Sequence, residues 1–229
     1  RRQNFQRVYD LRERILPGWD DAQTPTTAEL ERALALRAVQ ALGVASPAWV
    51  CDYFRQPKKG MPALLQSLAD DGLLRQVEVE GLKGLHYLHP DHLDLLRELA
   101  DRPPAAGMTT LLSPFDPLVA DRQRVRQLFN FDYLIECYTP AVKRRYGYYN
   151  MPILHRDRLV GRFDPKLERK EGVLRLKALT LEPGIKPDEE LVHDVAAALR
   201  DFLAFHKAKD LVVEKSDPAS FGKKLMKAI

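Results

Sequence analysis

Between Thr24 and Leu88 the apolar positions recur first at helical spacing and then in alternation. Thr26 followed by Glu29 forms a capping box, and Leu30, Leu34, Ala38, Ala41 and Leu42 recur at helical spacing before Gly43, which predicts a helix over 26–42. Ser46-Pro47 supplies an N-cap with proline at the first helical position, and Trp49, Val50, Tyr53 and Phe54 give a short second helix. After the polar turn Lys58-Lys59-Gly60, a third helix runs from Pro62 to about Asp71 with Leu64, Leu65 and Leu68 inward, closed by Gly72. Leu73 to Leu88 then alternates in two arms around Gly81-Leu82-Lys83-Gly84, the pattern of a β-hairpin.

Three short helices followed by a hairpin is the element order of a winged helix, whose third helix usually enters the major groove of DNA. Asp91 to Ala100 adds a helix, and the proline-rich stretch after it reads as a linker. Beyond the linker, Thr109 begins a strand and a double-proline loop, and Arg122 to Phe129 is a short basic helix. Phe131–Tyr138, Met151–His155, Leu159–Asp164 and Val173–Leu181 alternate as strands, with Arg156-Asp157 as a tight turn. Pro187 to Ala208 is an amphipathic helix with Leu191, Val195, Ala198, Leu199, Phe202 and Phe205 on one side, followed by a strand at Leu211–Val213 and a basic tail helix from Asp217.

The expected fold class is therefore α+β: a winged-helix domain over 26–100, a linker over 101–108, and a β-rich domain over 109–229, an antiparallel sheet or partial barrel with one long helix. Residues 1–25 are expected to be the tail of a preceding winged helix or an interdomain segment. Phe5 to Leu11 alternates like the last strand of a β-ribbon whose partner is not in the sequence, and the chain opens on Arg1 with its first Met at Met61. It is expected to be a piece of a larger protein.

No apolar run approaches the roughly 20 residues that span a bilayer, and Arg1-Arg2-Gln3-Asn4 leads into a polar stretch rather than a signal-peptide core, so a cytoplasmic protein is expected. Cys51 and Cys137 each sit among apolar residues and read as buried free thiols. His86, His89 and His92 form the one histidine cluster, but Pro90 interrupts it and no metal is expected there. The net charge is only +4, yet Arg122 to Lys177 holds 14 Lys/Arg against 6 Asp/Glu, a local +8 that leaves −4 for the rest. A basic excess concentrated in one segment is the footprint of a polyanion-binding surface.

Within that segment, Lys143-Arg144-Arg145-Tyr146-Gly147-Tyr148-Tyr149 sets three cations beside three aromatics near the tip of an expected hairpin. Cations neutralise phosphates while aromatic faces stack on exposed bases, so Lys143, Arg144, Arg145, Tyr146 and Tyr148 are candidate DNA contacts. The bland alternative is a solvated basic turn with its tyrosines packed on the sheet. Lys166, Arg169 and Lys170 would extend the phosphate track, with Arg162 a further candidate DNA contact and Asp164 orienting an arginine; a surface salt-bridge network is the competing reading. Gln66 and Ser67 are the base readers available on the third helix and Lys83 lies at the hairpin tip, although Asp70 and Asp71 would repel phosphate. Asp116 and Asp121 read as turn caps rather than as an acid/base pair. There is no phosphate-binding glycine loop, nucleophile elbow or zinc-deaminase pattern, and no catalytic residue is assigned.

Phe5-Gln6-Arg7-Val8-Tyr9-Asp10-Leu11-x-Glu13-Arg14-x-Leu16-Pro17, Leu112-Ser113-Pro114-Phe115-Asp116-Pro117-Leu118, Lys143 to Tyr149, and Gly161-Arg162-x-Asp164-x-Lys166, in that order across nearly the whole chain, resemble the winged-helix DNA glycosylases of the YcaQ/AlkZ type. The resemblance implies a bacterial repair enzyme that excises bulky alkylated bases and unhooks interstrand crosslinks by hydrolysing N-glycosidic bonds. It also implies tandem winged helices followed by a β-rich domain, no cofactor, and damaged or crosslinked double-stranded DNA as partner. In that family a Gln-x-Gln or Gln-x-Asp pair near the N-terminus positions the attacking water. The chain has no such segment, Leu64-Leu65-Gln66-Ser67-Leu68 included, so the bond-breaking residues are expected outside it. A non-catalytic winged-helix DNA-binding or transcription-regulatory protein, or a protein-interaction module, are the competing functions.

Overall fold

The computed structural model describes residues 2, 3 and 6–229, with side chains from residue 6 onward. Arg1, Asn4 and Phe5, which belong to the polar start and the alternating stretch discussed above, lie outside the described residues. The chain divides into two compact units, Arg1–Leu96 and Arg97–Ile229.

The first unit opens with the two-residue strands β1 (Arg2–Gln3) and β2 (Gln6–Arg7), which pair antiparallel, and a short helix α1 (Arg12–Ile15). The expected strand over 5–11 is thus shortened to Gln6–Arg7, and it has a partner in the sequence after all. Helix α2 (Thr27–Leu42) carries the full capping box: Glu29 N–H donates to Thr26 Oγ1, and Thr26 N–H donates to Glu29 Oε2 at 2.8 Å. Its buried face is Ala35, Ala38 and Val39, while Leu30 is half exposed and Ala41 exposed, a rotation from the expected face. Small alanines at the contact let the neighbouring elements approach closely.

Gly43, at φ 77°, turns the chain into β3 (Val44–Ala45), and Ser46 caps α3 (Pro47–Tyr53). Helix α4 (Met61–Asp70) follows, then β4 (Arg75–Val77) and β5 (His86–Leu88), in a three-stranded antiparallel sheet of order β3-β5-β4. Trp49, Val50, Met61, Leu65, Leu68, Leu74 and Tyr87 close the core of this unit. His86 is buried with its ring edge against Trp49, and no group of three His, Cys, Asp or Glu suited to a metal occurs among the described residues.

Helix α5 (Leu93–Asp101) leads out of the first unit. The second unit holds β6 (Thr109–Leu111), α6 (Pro117–Ala120), α7 (Arg122–Phe129), β7 (Met151–His155), β8 (Arg158–Glu168), β9 (Val173–Leu181), α8 (Glu189–His206), β10 (Asp210–Val213), β11 (Ser216–Asp217) and α9 (Ala219–Ala228). Asp116 and Asp121 cap α6 and α7 through the backbone amides of Leu118, Gln123 and Arg124. The strands form one sheet of order β10-β9-β8-β7-β6, with β11 also on β9, curled into a half-barrel.

The pairs from β6 to β9 are antiparallel, but β10 and β11 run parallel to β9. The sheet is therefore mixed rather than antiparallel, because α8 carries the chain back to the starting edge and the next strand re-enters in the same direction. Phe131–Tyr138, expected as a strand, has no sheet partner and ends in a single 3₁₀ turn over Glu136–Tyr138.

Two register shifts keep the apolar face of the sheet continuous. Ile153 pairs with Gly161 and Leu154 with Leu159, so Val160 is bulged and shares a face with Phe163; Lys177 is skipped likewise, which puts Leu174 and Leu176 on the same side as Leu179 and Leu181. Against these leucines α8 buries Leu191, Val192, Val195, Ala196 and Leu199, and α9 adds Phe221 and Leu225. Each of the valines, leucines and phenylalanine among them contributes roughly 1.5–3 kcal/mol of burial. Phe205, expected on this face, is exposed. No described helix is long and apolar enough to cross a membrane.

Candidate nucleic-acid interface

With Phe163 directed into the helix-side core, the period of two along β8 sends Arg162 and Asp164 to the opposite face. Residues 131–150 lie over that face. Beneath them Leu112, Val119, Val125, Phe131, Tyr133, Leu154 and Leu159 form a second, smaller core. Tyr133 donates its hydroxyl to the Asn150 carbonyl at 2.7 Å, and Asn150 Nδ2 donates to the Leu134 carbonyl at 3.0 Å. Burial pushes the Tyr133 phenol well above its ordinary pKa, with the Arg162 charge opposing the shift, so the hydroxyl stays a donor.

The basic segment is not a hairpin tip. From Arg145 to Tyr149 five successive backbone amides turn inward onto two buried carboxylates. Glu136 accepts from the amides of Arg145, Tyr146 and Gly147 at 2.9, 2.7 and 3.0 Å, and Asp164 from those of Tyr148 and Tyr149 at 2.7 and 2.9 Å. Bonds to an ionised acceptor are about twice as strong as neutral ones, which fixes the path of the loop without a sheet ladder. Gly147 is required at the turn between the two carboxylates: its φ is 122°, and a Cβ there would sit 2.2 Å from Asp164 Oδ2.

Arg162 departs from the expected role of a DNA contact. It is 1% exposed, its guanidinium lies 4.1 Å from the Phe131 ring centroid and 4.0 Å from that of Tyr146, and it donates to Glu182 and to the Asp132 carbonyl. A cation so enclosed has no surface to offer a phosphate; it is a structural pillar under the loop. Arg144 is also largely spent on structure, since its Nε donates to the carbonyls of Glu136 and Thr139 while its guanidinium rests on the Tyr148 ring. Asp164 binds amides rather than orienting an arginine.

Lys143, Arg145 and Tyr148 remain exposed, with Tyr146 half-buried under the Arg145 guanidinium. Arg145 and Tyr146 border a cleft of about 320 Å³ whose wall also includes Arg122 and Arg126, the latter paired with Asp132. Lys166 pairs with Glu168 at 2.8 Å, in an exposed contact of small energetic consequence, and Arg169 is exposed in the turn after β8. In the first unit Gln66 donates to Asp70 at 2.8 Å and accepts from Gln76, Asp71 is paired with Arg32, and Lys83 is exposed at the turn between β4 and β5.

Sequence reasoning missed Glu136, Phe131 and Glu182. The one available signal was an acid standing in the apolar run Leu134-Ile135-Glu136-Cys137 inside a strongly basic segment.

The family described as DNA glycosylase AlkZ-like matches residues 1–205, a span that takes in the first unit and the second as far as the last turn of α8. The chain belongs to this family. Membership makes the AlkZ-like protein a DNA-repair glycosylase with DNA as its substrate. No solved structure matches the chain.

Proposed function

We propose that this AlkZ-like protein grips duplex DNA, alkylated or crosslinked, through the second unit, with Lys143 and Arg145 on the phosphates and Tyr146 and Tyr148 beside them. The observation that carries this reading is the pair of exposed cations next to aromatic faces on a loop whose backbone is already held by two internal anions. Lys166 and Arg169 extend the basic surface, and Arg144 and Arg162 serve it by holding the loop. Helices α2, α3 and α4 followed by β4 and β5 support a winged helix in the first unit, with Gln66 and Lys83 as its DNA contacts. The reaction is hydrolysis of the N-glycosidic bond: water adds to the sugar C1′ and the base departs, which releases an alkylated base or unhooks a crosslink. No cofactor enters, and cytoplasmic residence beside a bacterial chromosome goes with this reading.

The sequence holds no Gln-x-Gln or Gln-x-Asp segment, so the water-activating pair is assigned to no residue here. That fact favours, as a second reading, DNA binding without base release. One experiment addresses both. Replacing Lys143 and Arg145 by alanine should weaken duplex binding and lower the slope of log Kd against log salt by about 2, while release of free base from an alkylated duplex, where the native chain shows it, falls in parallel. Unchanged binding at low salt would remove the loop from the interface. Binding without base release by the native chain would decide for the second reading.

A further inference from the structure

Among the large hydrophobic side chains described, the two most exposed are Val142 at 93% and Tyr138 at 86%. They lie four residues apart on one loop, Tyr138 closing the 3₁₀ turn Glu136–Tyr138 and Val142 inside the next, Ala141–Lys143, with Thr139-Pro140 between. Singly exposed apolar residues are ordinary. What sets this loop apart is that it is stapled at its root while its apolar tips are left bare. Thr139 N–H donates to the Glu136 carbonyl at 2.9 Å, Lys143 N–H to the Pro140 carbonyl at 2.9 Å, and Arg144 Nε reaches back to the carbonyls of Glu136 and Thr139 at 3.2 and 2.9 Å. The Glu136 carboxylate then anchors one end through the amides of residues 145–147.

From this geometry we infer that residues 136–144 form a DNA wedge, which inserts Tyr138 and Val142 at an unstacked base step while Lys143 and Arg145 engage the flanking phosphates. The inference rests on the reading of the second unit as a DNA-binding surface. Apolar side chains pushed between base steps kink duplexes in many architectural proteins, and the cost of unstacking is offset by contact with the exposed base faces. A tyrosine ring stacks on any base, and a neighbouring β-branched valine resists rotation. The staples remove the ordering cost that a floppy loop would add on binding. Charge selects the occupant: the tips are flanked by exposed cations in a segment of net charge +8, which suits a polyanion with hydrophobic faces.

The test uses the full chain and a duplex carrying 2-aminopurine beside a tetrahydrofuran abasic site. The native protein should raise the 2-aminopurine fluorescence at saturation. Tyr138→Ser with Val142→Ser should abolish the rise and weaken binding about tenfold, with an unchanged salt slope, because stacking and not ion pairing is lost. Tyr138→Phe, which keeps the ring, should preserve the rise, and a native urea-unfolding midpoint of the serine variant shows that its loss is not misfolding. Salt-dependent binding by the native protein without any rise, or a rise that survives in the serine variant, overturns the wedge and leaves the DNA surface standing. Absence of duplex binding by the native protein overturns both.

Discussion

Helix α4 and the loop over residues 136–149 both present polar side chains at the surface, and they hold them by opposite means. On α4 the backbone is satisfied within the helix, so the exposed side chains bond to one another: Gln66 to Asp70 and Gln76, with Asp71 taken by Arg32. In the loop the backbone is satisfied by buried side chains, Glu136 and Asp164, which leaves the outward side chains of Lys143, Arg145 and Tyr148 in solvent. A helix is a general scaffold whose surface carries whatever residues occupy it. A loop tied to internal anions is a built presentation of particular side chains, and its supports are costly enough to demand a reason.

That contrast is open to breaking at the supports first. Arg162→Ala removes the cation between Phe131 and Tyr146 and leaves Glu182 without its partner, so a loss of about 3–5 kcal/mol in urea unfolding is expected. A loss below 1 kcal/mol would mean that the loop is not carried by this pillar. Gly147→Ala adds a Cβ into Asp164 at a positive φ; it should cost of order 1–3 kcal/mol and weaken DNA binding although no cation is touched. Intact affinity in a folded Gly147→Ala protein would separate loop shape from binding. At the small end, Gln66→Ala on α4 should weaken duplex affinity by only about twofold, since Gln66 must give up its bonds to Asp70 and Gln76 to contact DNA and the net gain from that exchange is small. A tenfold loss there would turn the comparison around and make α4 the principal reader.

Much of the fold was legible where local patterns decide it. The capping box at Thr26 and Glu29, the bounds of α7 and β9, and the long helix α8 all follow from spacing and caps that lie within a few residues of one another. The failures share one cause. Phe131–Tyr138 alternates like a strand, but its polar partner is a set of amides about ten residues later, a contact no window detects. Arg162 looked like surface because arginine rarely tolerates full burial; only the convergence of Phe131, Tyr146, Asp132 and Glu182, spread over some fifty residues, makes the interior habitable for it. The parallel placement of β10 was hidden for a like reason, since direction depends on where α8 delivers the chain.

Runs of inward-facing amides of this kind are natural receptors for external anions, phosphate among them. Here the receptor is occupied from within by tethered carboxylates. The amides of residues 145–149 therefore have nothing left to give a nucleic-acid backbone, and over this stretch the outward chemistry is that of the side chains. The form of the loop is thereby uncoupled from its outward chemistry: substitutions at residues 143, 145 and 148 would change what the surface offers while Glu136, Gly147 and Asp164 hold its frame.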